Sequence, residues 1–426
     1  MMQESKTENS FSLLPFTILL QNVNTPSSDS SSLNPQSAPD LDSWRRSQAK
    51  KILQKYSPER IRELVKTHGS PMYVLSLGVV REQYATLKKY LPRVKHHFAL
   101  KPMPHEEIVK AVRDSDGYFD LATCGEVDIV KKLGIDPKRT IHTHPIKRPS
   151  DIAYALEYGT DTFVFDNEYE FEKHIEFKDK IKVLLRLSFP NKEAQCDLSA
   201  KFGVLPDKSF AMLQKAVAMG YNVVGLSFHV GSQMGTPAKH IEAITFAREL
   251  VDKAKDAGIH LRILDIGGGF PVTYTKPTML FEDFVLPIAE ALDDLFPDFE
   301  IFSEPGRFIT GPSMTLFSTV MGKALRNNQE YYYLDEGLYG SYSGKLFDHG
   351  DYLIYSLKEL ENPEVETFRS TLAGPTCDSI DVSYTDILMP QMELGDILVS
   401  PVMGAYSAAH ATTFNFFPKA KIVVEE

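Results

Sequence analysis

Short apolar runs alternate with longer, helix-like segments between about residue 98 and residue 302. The apolar runs, each of strand length, lie at residues 98–100, 119–121, 140–144, 162–165, 183–187, 223–229, 261–266 and 299–302. Helical patterns separate many of them, at residues 106–114, 125–133, 150–158, 209–219 and 237–257. Alternation at this spacing predicts parallel strands joined by crossover helices. Eight such runs predict an α/β fold with a (β/α)8 barrel of the TIM type rather than an open sheet.

The pattern changes after Gly311. Long helical segments become rare, and the connections are rich in Gly, Asp and Ser. This change predicts a separate, C-terminal all-β domain. Its strand-like runs lie at residues 315–320, 330–334, 397–400 and 420–424.

The segment before the barrel contains its own structural signals. Ser57 followed by Pro58 is typical of a helix N-terminus, a strand pattern lies at 71–77, and a helix pattern at 79–90. We therefore divide the chain into four parts. These are a disordered N-terminal arm (1–45), a segment joining the β domain (46–76), the barrel (77–312) and the β domain (313–426).

The N-terminal arm is rich in serine, which is typical of a disordered segment. Its apolar stretch at residues 11–20 follows Glu4, Lys6 and Glu8. It therefore lacks the positive leading region of a signal peptide, and it is too short to cross a membrane. We expect a cytoplasmic protein.

Composition limits the partners of this chain. Of its 426 residues, 24% are charged and 43% hydrophobic, and the net charge is -11. This charge argues against nucleic acids and anionic membrane surfaces as partners. Three cysteines without paired spacing indicate a reducing compartment, and no zinc-binding pattern is present.

Lys101 ends the first apolar run and is followed by Pro102. A buried lysine has a lowered pKa and becomes a nucleophilic amine, the state that Schiff-base formation requires. A lone lysine at a strand end is nevertheless more often a surface residue whose apolar stem covers its neighbours. The function of Lys101 therefore depends on the residues that accompany it.

Other polar residues also lie at or near strand ends, where barrel enzymes carry their reactive groups. They are Asp120, Arg186 and His229. None is specific alone, since a histidine at a strand end is more often a hydrogen-bonded structural residue.

Three consecutive glycines, Gly267, Gly268 and Gly269, follow the apolar run at residues 261–266. Such a loop lets the backbone approach an anion and present N–H groups to it, and phosphate is the common ligand. The sequence matches neither a P-loop nor the dinucleotide-binding fingerprint. A merely tight turn rarely needs three glycines in a row.

Glu304 and Arg307 follow the last apolar run of the barrel. An arginine there completes a phosphate site, and a carboxylate pairs with a ring nitrogen. Without the glycine loop, a surface ion pair would be the better interpretation. A lysine, a phosphate-binding loop and a carboxylate are the parts needed to hold pyridoxal 5′-phosphate.

The β domain contributes a turn, Gly-Pro-Thr-Cys-Asp-Ser, at residues 374–379. Cys377 beside Asp378 supplies an acid and a group that binds a cation. A small buried thiol in a turn is an equally good interpretation when the turn is considered alone.

Taken together, these motifs resemble the fold-type III (alanine-racemase-like) pyridoxal-phosphate decarboxylases, and within them the ornithine decarboxylase group. The resemblance extends from about residue 71 to residue 417. The motifs, in order, are Phe-Ala-Leu-Lys with Lys101, Phe-Asp-Leu-Ala with Asp120, Ser-Phe-His-Val-Gly-Ser with His229 and Ser232, the glycine loop, Glu-Pro-Gly-Arg with Glu304 and Arg307, Gly-Pro-Thr-Cys-Asp with Cys377 and Asp378, and Gly-Ala-Tyr with Tyr406.

The resemblance implies a role for each matching residue. Lys101 binds the cofactor covalently, Glu304 holds its pyridine nitrogen protonated, and His229 stacks on its ring. Asp120 and Arg186 lie near the cofactor. The phosphate is bound by Ser232, Gly267, Gly268, Gly269, Arg307 and Tyr406.

The family also implies a head-to-tail homodimer with shared active sites. Cys377 reaches the partner's site and protonates the decarboxylated carbon. Lys201 and Asp381 match a pair that bridges the two subunits. Asp348 and Asp378 match aspartates that bind a distal ammonium group, and we assign Tyr339 to the same substrate site.

Two such aspartates favour a diamino acid as the substrate. Ornithine is the first candidate and lysine is the second. Ornithine would yield putrescine and CO2 in polyamine biosynthesis. The diaminopimelate branch has glutamate where this chain has Asp378. Phe347 in place of the usual tyrosine, and Pro102 after the lysine in place of the usual cysteine, leave a specialised diamino acid open.

The alternative to an enzyme is a catalytically inactive regulatory protein. Antizyme inhibitors resemble these enzymes but lack residues that carry the chemistry. Here Lys101, Asp120, Glu304, Cys377 and Asp378 are all present. Racemisation is a third hypothesis, although the Cys377–Asp378 pair fits decarboxylation better.

Overall fold

The computed structural model describes residues 41–426 apart from 192–193 and 195–197. Over this part of the chain, a closed eight-stranded barrel is joined to a sheet of eight strands. The predicted α/β barrel and C-terminal β domain are therefore confirmed. No helix among the described residues is long and apolar enough to cross a membrane.

The chain enters through two helices and a strand. These are α1 (Leu41–Lys55), α2 (Pro58–His68) and β1 (Met72–Ser76). The Ser57 hydroxyl accepts a hydrogen bond from the Arg60 N–H at 3.2 Å, which confirms the predicted start of α2. The prediction of a disordered arm is wrong for residues 41–45, because they are helical. Residues 1–40 of the arm lie outside the described part of the chain.

The barrel is built of parallel strands that pair in sequence order and close between the first and the last. Its strands are β2 (Val94–Ala99), β3 (Tyr118–Leu121), β4 (Thr140–His142), β5 (Thr162–Phe165), β6 (Lys182–Leu187), β7 (Asn222–Phe228), β8 (Ile263–Asp265) and β9 (Glu300–Ser303). The helices of this part are α3 (Leu77–Tyr90), α4 (Glu106–Asp114), α5 (Cys124–Lys132), α6 (Pro149–Tyr158), α7 (Glu168–Lys173), α8 (Pro206–Ala218), α9 (Ala238–Asp256), α10 (Phe281–Leu295) and α11 (Arg307–Thr310).

The barrel strands are apolar because both of their faces are buried. A compact cluster with one residue from each of six strands joins Ile141, Val164, Leu184, Val224, Ile263 and Phe302. A much larger cluster includes residues of the barrel strands and of the helices around them. Parallel strands of this kind end at one rim, so the polar residues that follow them are brought together.

The second part is a mixed sheet that carries two short helices. Its elements are β10 (Met314–Arg326), β11 (Gln329–Leu334), α12 (Gly344–Phe347), β12 (Tyr355–Ser356), α13 (Leu357–Glu361), β13 (Thr367–Ala373), β14 (Val382–Pro390), β15 (Ile397–Ser400) and β16 (Lys421–Glu425). β1 completes it by pairing antiparallel with β10 and parallel with β16. The sequence pattern predicted β10, β11, β15 and β16 but missed β12, β13 and β14.

The N-terminal helices pack on this sheet. Ile52 of α1 and Ile61 of α2 belong to one buried cluster with Val74 of β1 and Phe317 of β10. The entering segment and the C-terminal strands thus form one structural layer. The boundaries assigned from the sequence at residues 76 and 312 stay predictions, whereas the one at residue 45 falls inside α1.

Candidate active site

A cavity lies at the C-terminal ends of the barrel strands. Seven residues predicted from the sequence line it, together with main-chain and apolar neighbours. The seven are Lys101, His229, Ser232, Gly269, Glu304, Arg307 and Tyr406.

Lys101 follows β2 and points toward Asp120 of β3, with 3.1 Å between Nζ and Oδ2. The Thr143 hydroxyl donates to the other carboxylate oxygen of Asp120 at 2.5 Å and so fixes its orientation. Burial lowers the pKa of Lys101, but the carboxylates of Asp120 and Glu304 raise it by more, and the net shift is upward. The expectation of a lowered pKa is therefore wrong, because the carboxylates stabilise the ammonium form.

Glu304 follows β9 and lies beside Asp265, the last residue of β8. Burial and the neighbouring Asp265 and Asp120 carboxylates raise the pKa of Glu304 well above its usual value. Burial also raises the pKa of Asp265 to about 6, although the Gly267 N–H donates to its Oδ1 at 2.9 Å. Two such buried carboxyls share a proton at neutral pH, so Glu304 has a proton to give.

The three glycines permit close packing against two neighbouring loops. A Cβ on Gly267 would lie 2.3 Å from the Phe228 carbonyl oxygen, and one on Gly268 would lie 2.7 Å from that of Glu304. Gly267 and Gly269 also have positive φ angles of 66° and 96°. The glycines are thus required by the contacts of the loop with the protein itself, and Gly269 is the one that lines the cavity.

His229 follows β7 and is neutral. Burial, together with the positive charges of Arg186 and Lys101, lowers its pKa well below the usual value. The Gly231 N–H donates to its Nδ1 at 3.1 Å, so the ring proton is on Nε2. Arg186 in β6 stacks on the ring of Phe202, with 5.2 Å from its guanidinium carbon to the ring centre.

Arg307 is fixed by contacts to its guanidinium group. It donates to the Ser232 hydroxyl at 3.0 and 3.2 Å, and to Tyr274 at 3.1 Å. Its carbon lies 4.8 Å from the ring centre of Tyr406. Its Nη2 also donates to Asp348 at 2.6 Å, in an ion pair whose two side chains are 6% and 8% exposed. Asp348, predicted to bind substrate, therefore holds the arginine that was predicted to bind phosphate.

Cys377, Asp378 and Tyr339 form a second cluster in the sheet part of the chain. The Cys377 side chain is exposed, and the Tyr339 hydroxyl donates to Asp378 and lowers the pKa of that carboxyl. Asp381 supports this turn, because its Oδ2 accepts from the Thr376 N–H and hydroxyl at 3.1 and 2.7 Å. Its pairing with Lys201 across a dimer stays a prediction.

Several residues that contact the side chains of the site were not predicted from the sequence. Asp265, Thr143 and Tyr274 each contact a predicted residue, as described above. Asp265 and Thr143 stand at or directly after the end of a barrel strand, so the position that indicated Lys101 would also have indicated them, whereas Tyr274 lies further along the loop after β8.

The residues of the cavity fit pyridoxal phosphate, the cofactor predicted from the sequence. An amine, a proton-carrying carboxyl and an arginine with a hydroxyl and a glycine N–H beside it all line one space. They match the aldehyde, the pyridine nitrogen and the phosphate of pyridoxal phosphate in chemical type.

Comparisons with known proteins agree with this chemistry. Residues 77–311 match the family model described as "Pyridoxal-dependent decarboxylase, pyridoxal binding domain". The lysine/ornithine decarboxylase of Selenomonas ruminantium is 36% identical over 372 residues, which cover 87% of this chain and 93% of that protein. Antizyme inhibitor 2 of Xenopus laevis is 32% identical over 380 residues, which cover 85% of this chain and 83% of that one.

A solved structure has the same fold. It is the lysine/ornithine decarboxylase of Vibrio vulnificus in complex with putrescine, 42% identical, with a TM-score of 0.81. The match covers 87% of this chain and 99% of that one. The chain therefore belongs to the pyridoxal-dependent decarboxylases, with pyridoxal phosphate as cofactor and a basic amino acid as the class of substrate.

Proposed function

We propose that this protein decarboxylates L-ornithine to putrescine and CO2 in polyamine biosynthesis. The observation that carries the proposal is the meeting of Lys101, Glu304 and Arg307 in one cavity. Bound pyridoxal phosphate supplies a ring that accepts the electron pair left when CO2 departs. Lys101 attaches the cofactor, and Arg307 with Ser232, the glycine loop and Tyr406 binds its phosphate.

Two residues set the protonation state of the ring. Glu304 carries a proton next to Asp265, and it would hold the pyridine nitrogen of the cofactor protonated. His229 is neutral and covers the ring face without adding a positive charge. Both arrangements favour withdrawal of electrons into the ring.

We also propose a homodimer whose active sites are shared. The Cys377 turn is exposed and carries exposed apolar neighbours, with Ile380 at 55% and Phe416 at 99% exposure. Such a patch is typical of an interface. In the dimer, Cys377 holds the proton that returns to the substrate carbon, and Asp378 binds the distal ammonium group.

Lysine is the second candidate substrate. The relatives from Selenomonas and Vibrio are both named lysine/ornithine decarboxylases. Phe347, at 63% exposure next to Asp348, lacks the hydroxyl of the usual tyrosine and so leaves one polar group fewer beside the substrate's tail. We propose a cytoplasmic location, in keeping with the low cysteine content.

Product analysis tests the proposal. Purified protein with pyridoxal phosphate is incubated with ornithine, lysine, arginine and diaminopimelate, and CO2 and amines are measured. We expect putrescine from ornithine, and loss of both turnover and the cofactor's visible absorbance band in Lys101→Ala. Cofactor binding without CO2 release would instead favour an antizyme-inhibitor-like regulator, and D-amino acid would favour a racemase.

Mixing of two inactive variants tests the shared sites. Lys101→Ala and Cys377→Ala each disable both sites of a homodimer. After random exchange of subunits, half of the dimers are mixed and have one intact site, so about a quarter of full activity returns. No recovery would overturn the shared site but not the decarboxylase function.

A further inference from the structure

Each carbonyl of the glycine loop is held by a donor from a different part of the barrel. This matters because a loop of glycines has no side chains with which to fix its own peptide planes. Two of the donors are main-chain N–H groups, and the third is a side chain on α9. The pairs are Glu304 N–H to Gly267 O at 2.8 Å, His240 Nε2 to Gly268 O at 3.1 Å, and Met234 N–H to Gly269 O at 3.1 Å.

The direction of the carbonyls fixes the direction of the N–H groups. In a planar trans peptide, the C=O of one residue and the N–H of the next point in opposite directions. The N–H groups of Gly268, Gly269 and Phe270 therefore point away from the three donors. Within the described residues, none of these N–H groups donates to a protein acceptor. Gly269 and Phe270 line the cavity together with Ser232 and Arg307.

The surroundings of His240 hold its ring in place for this contact. Its side chain is fully buried, lies nearly parallel to the Phe270 ring at 5.9 Å and 16°, and meets Phe284 edge-on at 5.7 Å. Burial lowers its pKa to about 4, so the ring is neutral and carries one N–H. Because the Gly268 carbonyl can only accept, that hydrogen is on Nε2. Nδ1 is buried without a hydrogen-bond partner in the described chain.

We propose that His240 is a positioning residue for the cofactor phosphate. By holding the Gly268 carbonyl, it turns the following peptide so that the Gly269 N–H faces the phosphate beside Arg307. This rests on the proposed phosphate site and adds to it a residue that never touches the cofactor. Among the three donors, His240 alone can be changed without altering the main chain.

Comparison of two cofactor forms tests the proposal. Apoprotein is titrated with pyridoxal phosphate and with pyridoxal, which lacks the phosphate, and the dissociation constants are measured by equilibrium dialysis. His240→Phe keeps an aromatic ring but removes the donor. We expect it to weaken pyridoxal phosphate binding about 10-fold to 100-fold, the effect of losing one hydrogen bond to a charged group. Pyridoxal binding should change by no more than about twofold, since that ligand has no phosphate.

Rescue and control variants separate positioning from simple structural support. His240→Gln restores a donor at nearly the same distance and should recover affinity to within about threefold of the wild type. His240→Met is a second donor-free variant should the phenylalanine variant not fold. His142 is also buried and stacked on a phenylalanine, at 5.5 Å, so His142→Phe is the matched control.

Two results overturn the proposal. One is unchanged affinity for pyridoxal phosphate in the donor-free variants, and the other is an equal loss for both cofactor forms. Weak binding of pyridoxal phosphate by the wild-type protein would instead contradict the proposed function itself, so the two failures are distinguishable.

Discussion

Arg307 and Asp348 form a buried ion pair, with 2.6 Å between Nη2 and Oδ1. The pair joins the start of α11 in the barrel to the end of α12 in the sheet part, so it connects the two parts of the chain at the cavity. Charge-assisted bonds of this kind are strong, and removal of one partner leaves the other charge buried. Asp348 therefore orients Arg307, whatever it contributes to substrate binding.

Asp348→Asn should weaken cofactor binding. The amide can still accept a hydrogen bond but no longer neutralises Arg307, so we expect the dissociation constant for pyridoxal phosphate to rise about 10-fold. Asp378→Asn is the control, because Asp378 is paired with Tyr339 and does not contact Arg307. A wild-type cofactor affinity in Asp348→Asn, with only a raised KM for ornithine, would assign Asp348 to the substrate alone.

Asp120→Asn should lower the pKa of Lys101. The aspartate is 3.1 Å from the amine, and its charge is one of the causes that raise this pKa. Reductive ¹³C-methylation of the apoprotein followed by NMR titration measures the pKa, and Lys101→Arg identifies the signal. The midpoint should move to lower pH in Asp120→Asn. An unchanged midpoint would mean that Glu304 and Tyr406 hold the ammonium form without Asp120.

Gly268→Ala should destabilise the protein and the cofactor site together. The added Cβ would lie 2.7 Å from the Glu304 carbonyl oxygen and 3.2 Å from His229 Nε2, so two loops must move apart. Overpacking of this kind costs about 1–3 kcal/mol. Gly235→Ala is the control, because its Cβ would meet nothing within 4 Å. Urea unfolding and cofactor titration of both variants check this, and equal behaviour of the two would contradict it.

The barrel was predictable from the sequence because its strands are buried on both faces. Their residues form nearly continuous apolar runs, such as Thr162–Phe165, which is buried throughout. Thr367–Ala373 in the sheet part begins with three exposed residues and ends with four buried ones. It therefore shows neither a continuous apolar run nor a regular alternation of buried and exposed residues. The C-terminal strands were accordingly harder to find than those of the barrel.

Seven of the residues that line the cavity were predicted from the sequence, but their electrostatics were not. The motifs indicated Lys101, Glu304 and Arg307 because each follows a strand at the same rim. The upward shift of the Lys101 pKa and the contact of Asp348 with Arg307 depend on distances between residues far apart in the chain. Sequence order does not contain those distances, so these two features required the structure.

Asp265 and Glu304 should contribute less to the stability of the apoprotein as the pH rises from about 4 to about 6. In the unfolded chain, both carboxyls lose their protons near pH 4. In the folded chain, burial raises the pKa of Asp265 to about 6 and that of Glu304 well above its usual value. At these two sites the folded state thus holds protons that the unfolded state has released, and their contribution to the free energy of unfolding falls as the pH rises through this window.

Asp265→Asn should remove the Asp265 part of this dependence. The amide keeps an acceptor for the Gly267 N–H but cannot ionise, so the stability of the wild type relative to Asp265→Asn should fall as the pH rises from about 4 to about 8. Urea unfolding at several pH values measures it, and Asp298→Asn, at an exposed position, is the control. If the curves for the wild type and Asp265→Asn ran parallel, Asp265 would not hold a proton in the folded protein. Glu304 would then be the member of the pair that keeps its proton, because an ionised Asp265 beside it raises its pKa.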